Sequence, residues 1–384
     1  MGAGGSIPRV PAAHHVLLVP GFFGFATLGE FAYFAHVRDF LAEALPEVGV
    51  RGEVAVVHTI PTASLERRAG LLAETVAKLL EAGPAAVSVV GHSSGGLDAR
   101  LLVSPGARLP TGVDLERCAR SVRAVVTVAT PHLGTPLAHA FNTLLGQQLL
   151  KLLSVTTIYG LRAGRLPIRV VLRLARVFRR SEAPANVVQQ LWAQLLHDFS
   201  ADRRRDLEEF FRHVGADRDL LDQITPDGAE VFDAATPDRP SVRYGCVVTR
   251  ARPPGLRSFA RAGVSPYAHA THGLFVALYR LASRTPPDRI RLPRERIAAL
   301  SRAFRRTVDH RTNDGMVPTL SQVRGELIRV AWADHHDVIG HFHHPTHVPP
   351  HFDWLASGTG FTRGRFEALW RDVAAFVAAG GRAG

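Results

Sequence analysis

Short apolar, β-branched runs alternate along the chain with stretches whose apolar positions recur at helical spacing. Residues 16–19 read as a buried strand ended by Pro20-Gly21, and residues 54–57 as a second strand. Residues 65–80 carry Leu71, Leu72, Val76, Leu79 and Leu80 at helical spacing, and Gly83-Pro84 stops that helix. Residues 87–90 form a third strand that runs into Gly91-His92-Ser93-Ser94-Gly95-Gly96 and then a helix through Leu102. Residues 122–128 form a fourth, followed by Thr130-Pro131-His132-Leu133-Gly134-Thr135-Pro136. Strands alternating with helices predict a mostly parallel central sheet flanked by helices. After about Ala138 the pattern favours helices with no clear strand, as far as Ala235. Strands return at 243–248 and 326–331, and 361–379 reads as an amphipathic helix. The expected organisation is one core, residues 1–137 and 236–384, with an inserted helical cap or lid at 138–235.

With 384 residues, 46% of them hydrophobic, the chain can bury a sizeable core. The formal charge of +12 would attract polyanions, but Arg is scattered through the whole chain. Without a basic stripe interleaved with aromatics, no nucleic-acid partner is expected. One stretch stands apart. Residues 161–180 alternate Arg with apolar residues, and Leu172, Leu174, Val177 and Phe178 could share one face. Such a helix either touches a lipid surface transiently or packs within the cap with its Arg heads solvated; the second reading is preferred. Cys118 and Cys246 make neither a disulfide framework nor a metal-ligand spacing, and two buried thiols are expected. No secretory signal or membrane span is visible, so a cytoplasmic or peripheral location is expected.

The chemistry begins at Gly91-His92-Ser93-Ser94-Gly95, which fits G-x-S-x-G. The bare pattern also occurs in turns with no chemistry. Here it follows an apolar strand and opens a helix, the context a nucleophile elbow requires. The fold class expected is therefore the α/β-hydrolase fold, with Ser93 as nucleophile. An oxyanion needs donors: the backbone N–H of Ser94, and that of Phe22 in the loop Pro20-Gly21-Phe22-Phe23-Gly24. The acid and base should follow in the order Ser, Asp or Glu, His. Asp314, in Thr312-Asn313-Asp314-Gly315-Met316-Val317-Pro318, is the expected acid, with Asp309 and Asp334 as rivals. Asp334-His335-His336-Asp337 supplies the base, and chain order alone leaves His335 and His336 nearly tied.

These residues resemble the bacterial triacylglycerol lipases and related esterases. The likeness lies in Leu17-Leu18-Val19-Pro20-Gly21-Phe22-Phe23-Gly24, in the elbow, in residues 127–136, in Asn313-Asp314-Gly315-Met316-Val317-Pro318, and in the His-x-Asp of 335–337. Pro20 stands where many such lipases have His. A fainter likeness covers residues 221–230. The resemblance implies an esterase or lipase acting on ester or lipid substrates, with His335 as base. It also implies a structural Ca²⁺ position at Asp337, although His341 stands where an oxygen ligand is expected. Neither a cofactor nor a metal is otherwise expected. The neighbouring histidines of residues 341–347 have a spacing compatible with Zn²⁺, but the simpler reading is a loop near the active-site entrance without metal. Two other readings use the same residues: an acyltransferase, and a non-catalytic scaffold that binds a lipid or a partner.

Overall fold

A computed structural model describes residues 13–22, 33–142 and 219–381, apart from 265, 291, 349, 352 and 354. Six strands form one sheet: β1 (Ala13–Val19), β2 (Val54–Val56), β3 (Ala85–His92), β4 (Val122–Val128), β5 (Arg243–Arg250) and β6 (Glu326–Trp332). Their order is β2-β1-β3-β4-β5-β6, and every neighbouring pair is parallel. The apolar runs are continuous because both faces of the sheet are covered. Val16, Leu18, Val90 and Val126 point to one side, where Val37 and Leu41 of α1 (Ala35–Glu47) and Trp370 and Val373 of α11 (Arg363–Gly381) pack. Leu17, Val19, Val89 and Val125 point to the other, against Leu72 and Val76 of α2 (Leu65–Glu81) and Leu102 of α3 (Gly95–Val103). Ser64 caps α2 by accepting from the Arg67 N–H.

The remaining helices are α4 (Leu115–Ser121), α5 (Pro136–Asn142), α6 (Asp219–Gln223), α7 (Pro226–Ala235), α8 (Leu256–Ala262), α9 (Pro266–Ala282) and α10 (Arg294–Ala303). The sequence pattern left α1, α4, α8, α9 and α10 unread. It also ended several strands short of their observed bounds. Of the expected cap, residues 143–218 lie outside the described residues, and the Arg-rich stripe of 161–180 lies there with them. So do Phe23 and Gly24 of the early loop. Cys118 and Cys246 are both buried and free, and burial pushes the Cys246 thiol up to about 11. No helix among the described residues is long and apolar enough to cross a membrane.

The strand order reverses at β1, whose neighbours are β2 on one side and β3 on the other. Open α/β sheets bind ligands in the crevice beyond the carboxyl ends of the strands at such a switch point. Gly21 and Phe22 follow β1, and Ser93 follows β3, so the sequence-predicted nucleophile and one expected oxyanion donor meet there.

Candidate active site

Ser93 is a non-glycine residue in the left-handed region, with φ 55°. That conformation costs about 1–3 kcal/mol and persists only where the surroundings impose it. They do so by close packing. A Cβ on Gly91 would lie 2.3 Å from the Gly95 carbonyl oxygen, and one on Gly95 would lie 2.2 Å from that of Val19. The Ser93 N–H donates to the Val128 carbonyl at 2.9 Å, which fixes the turn against β4. The turn opens α3, whose first N–H groups point back toward the strand end. Among the described residues the Ser94 N–H has no hydrogen-bond partner. The second loop lies just as close. A Cβ on Gly21 would be 2.5 Å from Ser93 Cβ and 3.1 Å from its Oγ. The backbone leading into Phe22 therefore rests directly on Ser93.

The expected acid and base, Asp314 and His335, sit at the ends of β5 and β6. Asp314 is fully buried, and its Oδ1 accepts from the Met316 and Val317 N–H groups at 2.9 and 2.8 Å. Its Oδ2 lies 2.7 Å from the Thr249 hydroxyl, 3.2 Å from Gln322 Nε2 and 2.9 Å from His335 Nδ1. The His335 N–H also donates to the Asp314 carbonyl at 3.0 Å. The carboxylate thus holds the His335 ring with Nδ1–H toward itself, leaving Nε2 as the basic nitrogen. The rivals have other work. Asp309 Oδ1 accepts from the Arg311 and Thr312 N–H groups within its own turn. Asp334 Oδ1 accepts from the His336 and Asp337 N–H groups, and its Oδ2 accepts from the Ser357 hydroxyl. Burial, then the neighbouring His335 imidazole, holds His336 well below the ordinary imidazole range.

Two histidines join the halves, and the sequence reading had no role for either. His92, fully buried beside Ser93, takes a hydrogen bond from the Tyr33 hydroxyl on Nδ1 at 2.6 Å. Its Nε2–H then donates to the His335 carbonyl at 2.9 Å, and the two rings are 4.7 Å apart. Tyr33 in turn accepts from the Gly21 N–H at 3.4 Å. One chain of hydrogen bonds therefore runs from the β1 loop through His92 to His335. Burial, followed by the nearby His335 ring, pushes His92 far below its usual value and keeps it neutral. The second link is the turn after β4. The His132 N–H donates to the Ser321 carbonyl at 2.9 Å, and the Thr135 hydroxyl donates to the Met316 carbonyl at 2.6 Å. This turn holds the loop that carries Asp314.

Beneath the elbow, Arg68 of α2 and Asp98 of α3 form a fully buried pair, with Nη2 to Oδ2 at 2.7 Å and Nε near both carboxylate oxygens. Arg68 Nη2 also donates to the Pro20 carbonyl at 2.8 Å, tying both helices to the end of β1. Burial pushes Asp98 up to about 6 despite its Arg68 partner. No pattern in the sequence pairs two charges 30 positions apart on helices otherwise read as apolar.

Asp334 and Asp337 are buried and Asp353 is half-buried; loss of solvent raises each carboxyl first, and the charge of Asp314 adds to it at Asp334, those of Asp334 and Asp353 at Asp337, and that of Asp334 at Asp353. Asp334 rises to about 6, Asp353 to about 8 and Asp337 well above the carboxylate range. Asp337 Oδ2 accepts from the Asp334 N–H and the Thr359 hydroxyl. Among the described residues no three carboxylate oxygens converge here. These acids spend their oxygens on the loop itself and do not by themselves make a cage for a hard cation.

Residues 65–165 match the family described as "Putative serine esterase (DUF676)". No curated protein matches the chain in sequence. Among solved structures, EstA from Clostridium botulinum is similar, with 19% identity over 97% of this chain and 89% of that one, TM-score 0.52. Lipase 1 from Pelosinus fermentans has 16% identity over 94% and 99% of the two chains, TM-score 0.52. Staphylococcus hyicus lipase has 16% identity over 98% and 97%, TM-score 0.52. At these identities the likeness to the three structures is one of fold, and the family match covers the elbow itself. The chain has the α/β-hydrolase fold and is similar in fold to bacterial lipases and esterases.

Proposed function

We propose that the protein is a serine carboxylic ester hydrolase acting through an acyl-enzyme. The observation that carries the reading is the strained Ser93 turn, with φ 55°, at the sheet end that also holds the Asp314–His335 pair at 2.9 Å. In the first step the Ser93 hydroxyl proton passes to His335 Nε2 as Oγ attacks the ester carbonyl. The N–H groups of Ser94 and Phe22 receive the oxyanion. The C–O bond to the alcohol breaks, and the alcohol leaves with the proton from His335. Water, deprotonated by the same nitrogen, then attacks the acyl carbonyl and releases the acid, restoring Ser93. Asp314 orients the ring and balances its charge.

Lipid-like esters are the proposed substrates. The lipases among the solved structures support that class by their fold. Replacing Ser93 with Ala should reduce turnover of a p-nitrophenyl ester by at least about 10⁴-fold. Retained activity would sink the assignment. A panel of p-nitrophenyl esters from acetate to palmitate separates esterase from lipase character, since a short-chain preference argues against the lipid-like class.

A further inference from the structure

The histidine-rich segment beyond His335 is not used by the proposed reaction, and it lies beside α1 in a defined arrangement. His344 and His351 exchange two backbone hydrogen bonds of 3.1 Å, which close residues 344–351 into a hairpin. The hairpin presents His347 and His351 to His36 near the start of α1. One nitrogen of each ring lies within 4.8 Å of those of the other two, and the described residues contain no second group of this kind. The three rings line a cavity of about 300 Å³ together with Asp39 and Glu43.

The supports of this cluster are as informative as the rings. His351 is buried, and its Nδ1–H donates to the Gly340 carbonyl at 2.7 Å, so its lone pair is on Nε2. A ring nitrogen tied to a carbonyl while the other is free to ligate is the usual outer support of a metal-bound histidine. His36 Nδ1 is buried with no hydrogen-bond partner. Gly340 has φ +105°, and a Cβ there would lie 2.8 Å from the His36 ring, so the backbone is pressed against two of the three rings at once. Burial and the neighbouring imidazoles hold His36 at about 4 and His351 at about 3, which leaves both neutral at pH 7.

We propose that His36, His347 and His351 bind a divalent late first-row metal ion of the Zn²⁺ class, with Asp39 or a water in the fourth position. Three imidazole nitrogens suit such an ion and not Ca²⁺ or Mg²⁺, which take oxygen ligands. The ion clips the 344–351 hairpin to α1. Because Gly340 ends the short turn Asp337–Ile339 that follows His335, the clip also braces the segment carrying the base. The rings of His36 and His351 stack with centroids 3.5 Å apart and planes 13° from parallel. An ion must lie in the plane of each ring it binds, so loading turns one ring out of that stack. This site does not depend on the ester-hydrolase reading.

The test uses the full chain purified without a histidine tag and stripped with a chelator. Titration with Zn²⁺ should show one equivalent bound per chain and a raised Tm, and Co²⁺ should give the strong visible absorption of a four-coordinate ion. A lost ligand should weaken binding by more than the roughly 10–100-fold typical of an outer-shell change. His347→Ala and His351→Ala should each do so, while His343→Ala, at an exposed position of the same segment, should leave it unchanged. Near-ultraviolet circular dichroism of the stripped variants checks the fold. Should His351→Ala fail to fold, His347→Ala decides alone, because its ring is only half-buried. Absence of stoichiometric binding, or binding that survives His347→Ala, overturns the proposal.

Discussion

The two halves of the candidate site are built by different means. The nucleophile half, at the ends of β1 and β3, is held by backbone contacts so close that Gly21, Gly91 and Gly95 have no room for a Cβ. The acid–base half, at the ends of β5 and β6, is held by side-chain hydrogen bonds: Asp314 alone has five partners. The first construction fixes a conformation, because Ser93 must stay strained to project its hydroxyl. The second fixes a proton, because the carboxylate selects which His335 nitrogen carries hydrogen. Damage to the first half should therefore appear mainly as lost stability, and damage to the second mainly as lost turnover.

The largest expected effect tests the second half. Asp314→Asn keeps an oxygen for the Met316 and Val317 N–H groups but presents an amide to His335. The ring then takes the wrong tautomer, and kcat should fall by roughly 10⁴-fold with the fold largely kept. Ester turnover and chemical denaturation of the same sample measure both quantities. A loss of stability in proportion to the loss of activity would erase the distinction between the halves.

The next effect probes the buried Arg68–Asp98 ion pair under the elbow. Asp98→Ala leaves the fully buried Arg68 guanidinium without its carboxylate. Breaking one partner of such a pair costs about 3–5 kcal/mol. The folded fraction should keep most of its turnover, since neither residue touches the reacting atoms. Should denaturation show no such loss, close packing alone sustains the nucleophile half.

Tyr33→Phe tests the link between the halves. It removes the hydroxyl that donates to His92 Nδ1 at 2.6 Å and leaves a buried acceptor unpaired, at a cost of about 1–3 kcal/mol. Since His92 also holds the His335 carbonyl, kcat should drop several-fold with little change in KM. An unchanged kcat would mean that Asp314 positions the base without help from the elbow.

This contrast explains what the sequence could and could not disclose. Glycines that cannot carry a Cβ occupy fixed spacings, so the elbow, its strand and its helix were all readable from Gly91-His92-Ser93-Ser94-Gly95. Likewise Asn313-Asp314-Gly315 announced a turn, and chain order pointed to an acid. The choice between His335 and His336 required the lipase resemblance, because adjacent histidines have the same local pattern. In the structure His335 Nδ1 lies 2.9 Å from the Asp314 carboxylate, a contact that no local sequence pattern announces. Thr249, Gln322, Tyr33 and Arg68 were missed for a common reason: each reaches its partner across the fold, and nothing in the neighbouring sequence marks it. Helix α9 escaped for a different reason. Leu274, Phe275, Leu278 and Ala282 do recur at helical spacing and are buried, but histidines and the preceding Gly and Pro residues obscure the start of the pattern.

The smallest effect concerns His132, in the turn that joins the halves. Its Nδ1 accepts from Arg100 at 3.3 Å and its Nε2 lies 3.2 Å from the Thr127 hydroxyl. Burial, followed by the Arg100 and Arg324 charges, pushes its pKa well below the ordinary value of 6.5. In the unfolded chain the ring takes up a proton as the pH falls through 6.5, whereas in the folded protein it does not. Its contribution to stability is therefore complete above that pH and is lost below it, at about 1.4 kcal/mol per pH unit. The raised carboxyls of Asp98, Asp334 and Asp353 work in the opposite sense, since the folded state holds their protons to higher pH. Total stability against pH is thus a poor readout, and a difference is needed. His132→Gln keeps a donor and an acceptor but does not titrate. Its stability relative to the parent should improve steadily from pH 6.5 to pH 5, by about 2 kcal/mol in all. Parallel curves for the two proteins would show that His132 can be protonated in place, and that the turn joining the halves is more open to water than its burial implies.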